Sequence, residues 1–193
     1  MSKRNYYLVN SITLYRLLAA PVLVLLVFLD QYDIFKWMLA ISFCTDAIDG
    51  YLARKLKVTS SVGAKLDSIA DLLTLIAALI AVYVFKPEFV ERHQAIIISM
   101  VVLLIVQHVL AIWKYKRVSS FHTYLAKVAM FFQGCFLILL FLLPEPAYWL
   151  FYPAAAITLL DLAEEIVLVL ILPKWESNVK GIYWVLKRKK GSV

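Results

Sequence analysis

Apolar residues run nearly unbroken for roughly 20 positions at a time, about the number needed to cross a bilayer as a helix, and do so six times along this chain. The windows are Tyr7 to Leu29, Ile34 to Leu52, Leu66 to Phe85, Ala95 to Trp113, Tyr124 to Leu143 and Ala147 to Leu172, with short polar connections between them. Because the runs are continuous rather than alternating, they predict helices and not the strands of a closed barrel. The expected fold class is therefore all-α: a polytopic membrane protein with six transmembrane helices.

Composition supports that pattern. Of 193 residues, 63% are hydrophobic and 17% charged, against about 45 to 50% and about 25% in a typical soluble chain. The formal charge of +7 would suggest nucleic acid in a soluble protein. Here the basic residues gather between apolar runs and at the termini, so no nucleic-acid partner is expected. Cys44 and Cys135 both sit inside apolar runs, where a thiol acts as a small hydrophobe. The first run passes into Asp30, Gln31, Tyr32 and Asp33 with no small-x-small cleavage site, so it is expected to stay in the mature protein.

The distribution of Lys and Arg predicts orientation. Lys3 and Arg4 precede the first window, Arg54, Lys55, Lys57 and Lys65 fill the second connection, and Lys114, Lys116 and Arg117 the fourth. The alternate connections carry only Lys36, then Lys86 and Arg92, then none. Since cytoplasmic loops hold the excess, both termini are expected in the cytoplasm. Residues 1–172 are expected to form the six-helix domain and 173–193 a basic tail, which mixes Trp175, Ile182, Tyr183, Trp184, Val185 and Leu186 with Lys174, Lys180, Lys187, Arg188, Lys189 and Lys190. Such a tail either lies along the anionic leaflet or is an unstructured segment that enforces topology.

Carboxylates inside apolar spans are costly and mark function by default. Asp46 and Asp49 are three apart near the end of the second window, and Asp67 and Asp71 four apart at the start of the third, so each pair shares a helix face. Capping, or pairing with Arg54, Lys55, Lys57 and Lys65, would explain one such Asp more readily than four at this spacing. Carboxylates brought together must be relieved by protons or cations, and an oxygen-only donor set favours Mg²⁺, Mn²⁺ or Ca²⁺ over zinc. Gly50 and Ala53 put small side chains beside the acids, and Arg54 supplies a fork donor suited to phosphate.

Asp46, Asp49, Gly50, Ala53, Arg54, Gly63, Asp67 and Asp71 fit the pattern D-x2-D-G-x2-A-R-x8-G-x3-D-x3-D at every fixed position. The chain thereby resembles the CDP-alcohol phosphotransferase family, and its six predicted helices and cytoplasmic motif extend the likeness to most of its length. The resemblance implies transfer of a phosphatidyl or related phosphoalcohol group from a CDP-linked lipid donor to a small alcohol acceptor, with release of CMP. It implies two divalent ions, Mg²⁺ or Mn²⁺, on Asp46, Asp49, Asp67 and Asp71, with Asp71 also the general base. Gly50, Ala53, Arg54 and Gly63 would shape the nucleotide pocket. A homodimer surrounded by membrane lipid, in a bacterial inner membrane with its site facing the cytoplasm, completes what the family implies.

Other residues are more ambiguous. Asn10, Thr13 and Arg16 recur every three positions and resemble nucleotide-binding residues early in many relatives; the alternative is capping by Asn10 and snorkelling by Arg16. Arg117 and Lys127 flank the start of the fifth window and would suit a phosphorylated acceptor, which makes glycerol 3-phosphate the first expectation. Inositol phosphate, serine or another alcohol are the other acceptors. Asp161, Glu164 and Glu165 interrupt the sixth window, and structural pairing, with Arg117 or Lys127, is favoured over a place in the acceptor pocket. His108 is expected to be an interior histidine rather than a ligand. A divalent-cation transporter would use the same four aspartates, but would need acids along a path through the bilayer, whereas these cluster near one side.

Overall fold

A computed structural model describes residues 3–56, 61–116, 121, 123–176 and 179–190; within these, the side chains of 3–10, 12, 47, 49–56, 61–65, 67, 68, 189 and 190 lie outside the description. Every element among the described residues is helical: α1 Lys3–Phe28, α2 Tyr32–Leu56, α3 Ser61–Phe85, α4 Pro87–Tyr115, α5 Tyr124–Leu142, α6 Tyr148–Ile171 and α7 Ile182–Lys190. The first six contain the six predicted windows or match them to within a residue or two, and several run on into the flanking polar sequence. They do so because a helix can satisfy its own backbone beyond the apolar stretch. The seventh lies in the tail.

Among the described residues, α4 and α5 are long and apolar enough to cross a membrane, while Thr13–Phe28 and Ile69–Phe85 are shorter apolar stretches of α1 and α3. Helix α2 carries Asp46, and α6 carries Asp161, Glu164 and Glu165, within largely apolar sequence. Large apolar side chains point outward along α4, with Ile105 and Val109 more than half exposed. Such a surface suits lipid better than water.

The chain divides into two compact units, Met1–Glu91 with Leu140–Pro144, and Arg92–Leu139 with Glu145–Val193. In the first, α1 packs chiefly on α3 and also on α2. Ala19 and Ala20 of α1 and Ala70, Ala77, Ala78 and Ala81 of α3 are buried, and small residues of this kind allow membrane helices to approach closely. Helix α1 ends in a Schellman motif: Gln31 N–H donates to Leu26 at 2.9 Å and Asp30 N–H to Val27 at 3.1 Å, with Asp30 at φ 54°. The turn delivers Tyr32, whose hydroxyl donates to the Phe141 carbonyl at 2.7 Å. Phe35 packs edge-on to Phe141 at 5.1 Å beside it.

In the second unit, the C-terminal ends of α4 and α6 meet the start of α5 and the tail. Ala111, Phe121, Leu168, Val169, Leu172, Val179 and Val185 form one buried cluster there. Lys114 Nζ donates to the carbonyls of Val169 at 2.7 Å and Leu170 at 3.0 Å, satisfying acceptors that the last turn of α6 leaves open. The Tyr115 hydroxyl donates to Leu172 at 2.9 Å. Near the other end of α4 the helix is kinked at His93, which is buried against Phe151 at 4.7 Å.

Candidate active site

Arg16 is the residue around which the site is built. Helix α1 carries it within an apolar sequence, and its side chain is only 2% exposed. A buried guanidinium needs carboxylates, and it has two: Nη1 lies 2.7 Å from Asp46 Oδ1 of α2, and Nη2 pairs with Asp71 Oδ1 of α3. Both aspartates are one third exposed, so the ion pairs join a buried cation to carboxylates that open outward. One arginine thus ties three helices together and draws two of the four predicted acids to a common point.

The surroundings are polar at the depth of Arg16. Thr13, one turn earlier on α1, is 5% exposed. Ser42, one turn before Asp46, and Thr74, one turn after Asp71, are buried, with hydroxyl oxygens lacking a hydrogen-bond partner among the described residues. Asn10, Asp49, Gly50, Ala53, Arg54, Gly63 and Asp67 fall in α1, α2 and α3, their side chains outside the described residues.

Carboxylate oxygens contributed by two helices are suitable donors for a hard divalent cation. Among the described residues no group of three or more such ligands gathers, and the side chains of Asp49 and Asp67 lie outside them.

In the second unit, two acids of α6 meet the connection before α5 and the tail. Glu165, 8% exposed, accepts the Phe121 backbone N–H at 3.3 Å, and Glu164 accepts that of Ile182 at 3.0 Å. Two of the three acids are met by backbone N–H groups, while Lys127 stands over the Tyr124 ring at 5.6 Å. Arg117 lies outside the described residues. His108 is half-buried, its Nδ1 2.9 Å from the Leu104 carbonyl of its own helix.

Arg16 was legible in the sequence only as an ambiguous residue. Its signal was the charge itself: an arginine followed by an apolar run from Leu17 to Leu29 must snorkel or find carboxylates, and four carboxylates were already in view.

Comparison with known proteins agrees with the motif. The profile of the CDP-alcohol phosphatidyltransferase family matches residues 6–163. A Pseudomonas fluorescens protein named CDP-diacylglycerol–glycerol-3-phosphate 3-phosphatidyltransferase is 39% identical over 74 residues, covering 37% of this chain and 38% of the relative. Proteins of the same name from Haemophilus influenzae and Cereibacter sphaeroides are each 35% identical, over 89 residues (45% of this chain, 48% of the relative) and 82 residues (40% and 37%). The matched stretch therefore spans less than half the length of each of these relatives. No solved structure matches the chain. With a profile match covering most of its length and the full aspartate motif on two helices joined through Arg16, the chain belongs to the CDP-alcohol phosphatidyltransferase family.

Proposed function

We propose that the protein transfers the phosphatidyl group of a CDP-diacylglycerol lipid to glycerol 3-phosphate, releasing CMP. The observation that carries this reading is the meeting of Asp46 and Asp71, the first and last acids of the family motif, on the buried Arg16. The acceptor follows from the names of the three relatives and from Lys127, exposed near the start of α5. Six spans, cytoplasmic termini and a homodimer in a bacterial inner membrane complete the proposal; the lysine and arginine distribution supports the orientation.

In this reading Asp46, Asp49, Asp67 and Asp71 hold two divalent ions, Mg²⁺ or Mn²⁺, which when bound neutralise the diphosphate and ease departure of CMP. Arg16 holds Asp46 and Asp71 in place and offsets one of their negative charges. Asp71 accepts the proton of the acceptor hydroxyl as its oxygen attacks the phosphatidyl phosphorus. The new P–O bond forms as the bond to the CMP oxygen breaks, and CMP leaves with the electron pair. Gly50, Ala53, Gly63 and Arg54, with Asn10 and Thr13, shape the nucleotide site, and Arg117 and Lys127 hold the acceptor phosphate.

The test is CMP release by purified protein given CDP-diacylglycerol, Mg²⁺ or Mn²⁺, and a panel of glycerol 3-phosphate, inositol phosphate and serine. Release with glycerol 3-phosphate alone is expected. Release with another acceptor would keep the chemistry and change the substrate. No release with any acceptor, together with metal uptake into vesicles, would replace the enzyme with a transporter.

A further inference from the structure

We propose that the outward face of α7 is a docking surface for anionic lipid headgroups, on the bilayer in which the chain sits. The inference rests on the membrane location proposed above and is independent of the transfer chemistry.

Position is the first argument. Helix α7 lies where α4 and α6 end and α5 begins: Val179 N–H donates to the Phe121 carbonyl at 3.0 Å, Tyr124 N–H to that of Lys180 at 3.4 Å, and Val185 belongs to the buried cluster with Ala111 and Leu168. Both α4 and α5 are long and apolar enough to span the hydrocarbon, so the end at which they meet the tail is a membrane boundary. A segment fixed there is within reach of headgroups.

The second argument is that α7 is docked by one face and leaves the other open. Val185 is 1% exposed, whereas Tyr183 is 66%, Trp184 45% and Leu186 45% exposed. Glu164 accepts the N–H of Ile182 at 3.0 Å in the first turn, and Gly181 at φ 144° makes the entry. The Trp184 ring packs edge-on to Tyr124 at 5.5 Å, which fixes one border of the open face. The exposed set combines an aliphatic and two aromatic side chains with the exposed Lys187 and Arg188, the latter also paired with Glu176 at 2.9 Å.

Charge selects the occupant. The helix ends in Lys187, Arg188, Lys189 and Lys190 and contains no acid, so it complements an anionic surface. Each lysine near such a leaflet strengthens attachment by about fivefold, and aromatic rings favour the headgroup level. An apolar partner surface would have no use for these cations, and a second copy of α7 would be repelled by them.

The experiment places an environment-sensitive fluorophore at position 186, in full-length protein carrying Leu186→Cys with Cys44→Ser and Cys135→Ser, reconstituted in nanodiscs of neutral or anionic phospholipid. The expected result is a blue-shifted emission, quenched by brominated lipid, in anionic discs. It should diminish in neutral discs, in high salt, and when Lys187, Lys189 and Lys190 are changed to Gln. Emission typical of water in both lipids would overturn the proposal. So would shielding that ignores lipid charge, salt and the lysine changes, because a protein surface would then cover the face. Assaying CMP release on the same discs separates this outcome from a failure of the catalytic reading.

Discussion

Arg16 and Asp46 form a 2.7 Å ion pair between α1 and α2, and the arginine's second terminal nitrogen carries the same link on to Asp71 of α3. Three helices of the first unit are thus joined through one buried cation. Removing one partner of such a pair leaves the other charge in a poor solvent. For Arg16→Gln we expect a loss of about 3 kcal/mol of stability, at the low end for a buried pair because the aspartates are partly exposed. Arg16→Lys should recover part of it, keeping the charge without the fork. Thermal unfolding in detergent of the two variants beside the parent chain measures both.

Asp46→Asn, Asp49→Asn and Asp67→Asn should each abolish turnover chiefly by weakening metal and diphosphate binding. Mn²⁺ titration followed by electron paramagnetic resonance should reveal weaker binding in each. Wild-type turnover at limiting Mg²⁺ in any of them would remove that residue from the ligand set.

Asp71→Asn preserves size and polarity but cannot accept a proton. A fall in kcat of about 10²- to 10⁴-fold is expected, as for loss of a general base. Donor binding by calorimetry should suffer less than in Asp46→Asn. Lost donor binding with a normal pH dependence of residual turnover would make Asp71 a ligand and not the base.

Lys127→Ala should raise KM for glycerol 3-phosphate more than KM for the CDP-linked donor, because its charge is exposed near the start of α5 and available to a phosphate. Equal effects on both substrates would assign it to folding.

Gly181→Ala tests the clasp on the tail. At φ 144° an added Cβ is strained and would stand 3.0 Å from Glu164 Oε1. A local cost on the order of 1 to 3 kcal/mol is expected. Hydrogen exchange should accelerate across Ile182–Lys190 while the amides of α1 to α3 stay protected.

The sequence by itself determined the helical class, the positions of the first six helices and the family motif, because each is written in local terms: runs of apolar residues long enough to cross a bilayer, and carboxylates at helical spacing. It also placed the acids of α6 as costly and in need of partners. Partner identity was a matter for the tertiary structure. Whether Arg16 snorkels or turns inward depends on which helices flank α1, and packing against α2 and α3 puts Asp46 and Asp71 within its reach. Likewise Glu164 and Glu165 could have met a lysine or a backbone N–H. The segment before α5 supplied the N–H to Glu165 and the returning tail to Glu164, and the same return gave the basic tail a helix with one buried face. Hydrophobic periodicity is a property of neighbours along the chain, whereas the pairing of buried charges depends on neighbours that only the fold brings together.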